Sequence, residues 1–114
     1  MTSPALPGEV YLAVFGDPVG HEQGGFRPAV VVSRAEFQAL PSGLVVVVPV
    51  TSRDRGLPHQ VALDFRAAGL DRPSWVRTEE LRSISAVRLR KRVGRVTFNE
   101  LALIKKTIRQ LTGL

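Results

Sequence analysis

The chain has 114 residues, enough for one domain around one core, and its 44% hydrophobic and 23% charged shares are those of an ordinary globular protein. It has no cysteine, which excludes disulfides, thiolate nucleophiles and cysteine-ligated zinc, and its longest apolar run, residues 44–50, is too short to cross a bilayer. The net charge of +6 is unevenly spread: residues 1–76 carry six basic and seven acidic side chains and residues 77–114 carry ten and three, so the C-terminal part attracts polyanions, either nucleic acid or an acidic protein segment.

Residues 1–7, with Pro4 and Pro7, are expected to be a flexible tail before a single domain over 8–114. They contain no basic segment leading into an apolar run, so no signal peptide is expected, and a cytoplasmic location fits. Residues 8–16 alternate as a strand does. Asp17-Pro18-Val19-Gly20 opens a loop that lasts to about Phe26. Residues 28–33 are β-branched and predict a buried strand, with Pro28 at its start, where a missing N–H does least harm. Residues 34–40 suit one or two helical turns with Ser33 as N-cap. Residues 44–50 are the strongest strand signal, and residues 51–57 are polar and predict a mobile loop. Strands are expected again at 58–65, 75–81 and 93–96, the last two flanking a basic connector with Arg88, Arg90, Lys91 and Arg92.

The end of the chain predicts a helix. Thr97-Phe98-Asn99-Glu100 is a capping box, and Val96 with Leu101 suits a hydrophobic staple. Leu101, Ile104, Ile108 and Leu111 share one face at helical spacing, and Gly113 is a fitting stop. Five or six short strands and one terminal helix predict a mainly β domain, a small curled sheet or barrel with a helix packed on it.

Two strands carry the chemistry. Gly20-His21-Glu22-Gln23 leads through Gly24, Gly25 and Phe26 into Arg27-Pro28-Ala29-Val30-Val31-Val32-Ser33, and the next strand ends in Pro49-Val50-Thr51-Ser52-Arg53. These strands deliver His, Glu, Gln, Arg, Thr and Ser to one end of a small sheet, the residue types that hold a phosphodiester without a metal. A guanidinium at Arg27 offers a planar fork to two phosphate oxygens, and a hydroxyl at Thr51 offers a further donor. The duller alternatives are a rim ion pair for Arg27 and a turn bond to its own backbone for Thr51.

These motifs, with Gly8-Glu9-Val10-Tyr11, Val76-Arg77, Leu81-Arg82-Ser83-Ile84 and the closing helix, resemble the MazF/PemK toxins of bacterial toxin–antitoxin systems over about residues 8–113. The resemblance implies an SH3-like barrel, a homodimer, and an endoribonuclease that cuts single-stranded RNA with no metal or other cofactor, so stopping translation. It implies a cognate antitoxin that blocks the RNA site, and no membrane partner. It carries catalytic roles to Arg27 and Thr51, and through the practice of some relatives to His21, Arg77 and Glu79. Glu79 stands where those relatives have the shorter aspartate. Glu22, Gln23, Ser52, Arg53, Arg55 and Arg82 are the expected RNA contacts. General base and general acid are left open among His21, Glu79 and Arg77; of the two candidates for taking the 2′-OH proton, His21 and Glu79, His21 has the better intrinsic pKa, near ~6.5.

Two other functions fit the same fold. A gyrase-poisoning toxin would end in Trp-Gly-Ile, whereas this chain ends in Thr112-Gly113-Leu114. An inactive RNA-binding SH3-like module would need only the basic C-terminal part and would leave the pairing of Arg27 with Thr51 unexplained.

Overall fold

A computed structural model describes residues 3–17, 20 and 24–114. Within them lie seven strands: β1 (Glu9–Val14), β2 (Phe26–Val31), β3 (Leu44–Thr51), β4 (Gln60–Ala62), β5 (Trp75–Arg77), β6 (Arg82–Ser85) and β7 (Leu89–Arg95). A single turn of helix, α1 (Ala35–Gln38), follows β2, and the 15-residue α2 (Phe98–Thr112) closes the chain. The domain is mainly β with a C-terminal helix, as expected.

All pairings are antiparallel, in the order β4-β5-β3-β2-β1-β7, with β6 beside β3. The eight-residue β3 is the axis of the fold. Its first half pairs with β6 as far as Val47 and its end pairs with β5 from Val50. Pro49 falls in the gap between these two partners, so its missing N–H removes no ladder bond. Both faces of β3 are covered, which is why it reads as an unbroken apolar run. Val48 and Val50 enter a core with Val10, Val30, Val61, Val76 and Ile104, whereas Val45 and Val47 enter a second core with Ala13, Phe15, Ala29 and Ile84.

The helix begins and ends as its sequence predicts. The Thr97 hydroxyl accepts the Glu100 N–H at 3.1 Å, the Glu100 carboxylate accepts the Thr97 N–H at 2.8 Å, and Gly113 takes the left-handed conformation at φ 77°. Val96 and Leu101 pack in the same core. Of the apolar stripe, Ile104 is fully buried, but Leu111 remains 49% exposed. Ile104→Ala is expected to cost about 2–5 kcal/mol, read as a lower urea midpoint at unchanged slope.

The barrel is open: β4 and β7 end the strand order and do not pair. Residues 64–70 span the gap. The Arg95 N–H donates to the Ala67 carbonyl (3.4 Å), and the Leu70 N–H donates back to the Phe65 carbonyl (2.8 Å). Gly69, at φ 78°, lies against the backbone of Val93 and Gly94; a Cβ on it would stand 1.9 Å from the Val93 carbonyl oxygen. A Cβ on Gly94 would stand 2.3 Å from the Ala68 carbonyl carbon and oxygen. Glu100 ties the same segment to the helix by accepting the Asp64 N–H.

Several local expectations change. Ala5 belongs to the second core rather than to a free tail: it is 3% exposed, and its N–H donates to Gln38 Oε1 at 2.8 Å. Ser33 does not cap α1; its hydroxyl accepts the Val46 N–H at 2.9 Å, and Arg34 holds the cap position without a side-chain capping bond. The segment expected as strand 75–81 turns into a 3-10 turn at Thr78–Glu80. The strand expected at 58–65 shortens to β4, because Asp64 already starts the crossing segment. The basic connector is the body of β7, with Arg90, Lys91 and Arg92 exposed on a sheet-edge strand, where charge discourages pairing with another chain. Arg92 is held to the buried Glu9 at 2.6 Å.

Candidate active site

The ladder between β2 and β3 sets Val30 opposite Val48 and Ala29 opposite Pro49. That ladder ends at Ala29 and Pro49, and Arg27 and Thr51 stand two residues beyond it, at the same end of their two strands. Both side chains line one cleft of about 180 Å³, with Pro28, Val50, Ser52, Leu70, Asp71, Arg72 and Ser74. A guanidinium and a hydroxyl distant in sequence therefore line one cleft, each at an end of one of two neighbouring strands.

Each is oriented locally. Arg27 is exposed, and its Nε–H donates to the Gly24 carbonyl at 2.8 Å. That bond fixes one edge of the guanidinium, so a phosphate would be met by the two terminal nitrogens. Thr51 is half-buried, and its Oγ1 accepts the Arg53 N–H at 3.1 Å. The turn bond foreseen as the dull alternative is thus present. It occupies a lone pair of the oxygen and leaves the hydroxyl proton for a ligand.

The loop after Thr51 is exposed but pinned. Gln60 accepts the Arg55 N–H (2.9 Å) and donates to the Arg53 carbonyl (3.1 Å), while Asp54 accepts the Gly56 N–H (2.8 Å). Ser52 lines the cleft, and Arg53 and Arg55 stand exposed beside it on that loop.

Arg77 and Glu79 are not brought to this cleft. On β5, Trp75 is the residue opposite Thr51, and Arg77 is opposite Gln60, which puts Arg77 about 7 Å further along the strand. Its side chain is only 7% exposed and lies between two carboxylates, 3.1 Å from Glu79 and 3.7 Å from Glu80. His59 completes this cluster, with Nε2 at 3.6 Å from Glu79. Arg82 also lies apart: it sits on β6 opposite Val47, its guanidinium 5.1 Å from the Phe15 ring. His21, Glu22 and Gln23 lie outside the described residues.

The cleft holds residues the sequence did not single out. Asp71, Arg72 and Ser74 come from the connection into β5, brought beside Thr51 by the pairing of Trp75 with Thr51. Hydrogen bonding and charge from Arg72 hold the Asp71 carboxyl below its ordinary range, and the same contact raises Arg72. Their only advance signal is a turn-rich composition, which does not say where a turn will land. Among the described residues, no three of His, Cys, Asp and Glu are grouped as a metal ion would require, and no helix is long and apolar enough to cross a membrane.

Comparison with known proteins gives one family. The model of the "PemK-like, MazF-like toxin of type II toxin-antitoxin system" matches residues 6–112. Endoribonuclease MazF9 of Mycobacterium tuberculosis is 36% identical over 107 residues, covering 90% of this chain and 91% of its own. The crystal structure of MazF from Deinococcus radiodurans superposes with a TM-score of 0.84 at 30% identity, covering 100% of both chains. A MazE–MazF crystal structure from the same organism gives 0.78 at 30% identity, covering 100% of this chain and 99% of that one.

Proposed function

Because the chain belongs to the PemK-like, MazF-like toxins of type II toxin–antitoxin systems, we propose that it is a sequence-specific endoribonuclease toxin. It cuts single-stranded RNA, chiefly mRNA, without a metal, and so stops translation and growth. It acts in the cytoplasm as a homodimer, and a cognate antitoxin neutralises it by covering the RNA site. The observation that carries the reading is the meeting of Arg27 and Thr51 in one cleft.

RNA carries its own nucleophile, the 2′-OH. Cleavage needs that oxygen deprotonated, the charge on the phosphorane held, and the 5′-oxygen protonated as it leaves. The terminal nitrogens of Arg27 bind the non-bridging oxygens, and Thr51 donates its hydroxyl to the same phosphate. Donors fixed before the reaction and aimed at developing charge contribute roughly 10²–10³-fold each. His21, carried by the β1–β2 connection that also holds Gly24, is the candidate base. Acid–base help of this kind contributes roughly 10²–10⁴-fold. Glu79 is a weaker candidate, since its carboxylate is committed to Arg77. Arg77, nearly buried between Glu79 and Glu80, is better placed to fix the end of β5 than to hold phosphate. The products are a 2′,3′-cyclic phosphate and a 5′-hydroxyl.

The test is incubation with a mixed-sequence RNA in EDTA, followed by mapping of new 5′ ends. Discrete cuts that persist with chelator are expected. Intact RNA that binds in a salt-sensitive way would replace the enzyme with a binding module. Thr51→Ala is expected to slow the cutting about 10²-fold, and Thr51→Ser, which keeps the hydroxyl, to restore most of it; equal losses in both would remove the hydroxyl from the mechanism.

A further inference from the structure

Arg27 is one of two guanidinium groups in the cleft. Arg72 lines it too, from the wall built by residues 70–74. That wall is well fixed. The Ser74 hydroxyl donates to the Arg72 carbonyl at 2.8 Å, the Leu63 N–H donates to the Ser74 carbonyl at 3.0 Å, and Gly69 is locked against β7 just before it. On this wall Arg72 is paired with the preceding residue at two points: Nε to Asp71 Oδ1 at 3.1 Å, and a terminal nitrogen to Oδ2 at 3.4 Å.

A pair of neighbouring exposed side chains, here 64% and 81% accessible, adds little to stability. What it does is engage one edge of the guanidinium. With Nε and one N–H of a terminal nitrogen bonded to Asp71, the other terminal nitrogen of Arg72 and the remaining N–H are not used by that pair, and Arg72 lines the cleft. A phosphodiester gains negative charge as the 2′-oxygen attacks, and a second fork supplies donors for it.

We propose that Arg72 is a second phosphate-holding residue of the cleavage site and that Asp71 is a positioning residue that aims it. This rests on the endoribonuclease reading. The exposed pair can be altered with little effect on folding, so function is the readout.

The experiment uses the full chain, an RNA oligonucleotide spanning a mapped cut, and its 2′-O-methyl form, which binds but cannot be cut. For Arg72→Ala, kcat/KM is expected to fall at least about tenfold. The slope of log binding constant against log salt for the 2′-O-methyl strand should become shallower by about 0.7, the loss of one phosphate contact. Arg72→Lys is expected to keep the native slope but not the native kcat, because an ammonium keeps the charge and loses the fork. Asp71→Asn should keep the slope and lower kcat with little change in KM. The proposal is overturned if Arg72→Ala matches the native protein in both kcat/KM and slope while Arg27→Ala is inactive in the same assay. If the native protein fails to cut RNA, the enzymatic reading falls instead, and an unchanged binding slope in Arg72→Ala would then remove Arg72 separately.

Discussion

Arg27→Ala is expected to lower kcat/KM for RNA cleavage by about 10²–10³-fold or more and to leave the fold intact. The two halves of this expectation have separate causes. Arg27 is exposed at the start of β2, and its one described side-chain hydrogen bond is to the Gly24 carbonyl. Surface substitutions of this kind stay within about 0.5 kcal/mol of the parent, so the melting temperature should barely move. The cleft, by contrast, loses the guanidinium fork that the proposed reaction uses to hold phosphate. Arg27→Lys should recover RNA binding better than turnover, since a point charge attracts the strand but cannot engage two oxygens at once. Steady-state kinetics on a short RNA, with a thermal melt of each variant, reads both halves. Cleavage within tenfold of native in Arg27→Ala would remove Arg27 from the reaction.

The largest stability effect is expected at two glycines outside the cleft, Gly69 and Gly94, whose backbones meet across the barrel gap. Gly69→Ala puts a methyl 1.9 Å from the Val93 carbonyl oxygen, and Gly94→Ala puts one 2.3 Å from the Ala68 carbonyl group. The obstructing atoms are backbone, so no rotamer change relieves the clash. Overpacking costs about 1–3 kcal/mol where side chains can yield, and at Gly69 the positive φ adds about 1–2 kcal/mol for any residue with a Cβ. Each substitution is therefore expected to cost about 3 kcal/mol or more, a large part of a total near 5–15 kcal/mol. Urea unfolding measures this directly. The same contact sets the wall carrying Asp71, Arg72 and Ser74, so the folded fraction of either variant should also cut RNA more slowly than native protein. A midpoint unchanged in both variants would mean that the crossing segment does not close the barrel.

Much of this molecule is legible in its residues. The capping box at Thr97 and Glu100 and the stop at Gly113 are local devices, and they act where local rules put them. The run at residues 44–50 reads as a strand because both its faces are buried. The strand β6 is not legible, since Arg82-Ser83-Ile84-Ser85 alternates weakly and depends on pairing with β3. The charged body of β7 conceals a strand for a related reason: an edge strand can carry arginines that a connector would also carry. Arg27 and Thr51 are visible because each stands at an end of a clear strand, Arg27 near the start of β2 and Thr51 at the close of β3. Asp71 and Arg72 reach the same cleft through a crossing segment whose path depends on two glycines meeting across the barrel gap, a contact with no periodicity to betray it. Arg77 shows the opposite case, a residue of suitable chemistry whose neighbours, Glu79 and Glu80, occupy it.

The central claim, that a guanidinium on β2 and a hydroxyl at the end of β3 serve one phosphate, is tested most directly by a double-mutant cycle on kcat with Arg27→Ala, Thr51→Ala and the combined variant. Groups that act as a unit on one reacting centre are strongly non-additive, so the double variant should be little slower than the worse single one. Losses that multiply fully would show the two side chains acting independently, and would contradict the account.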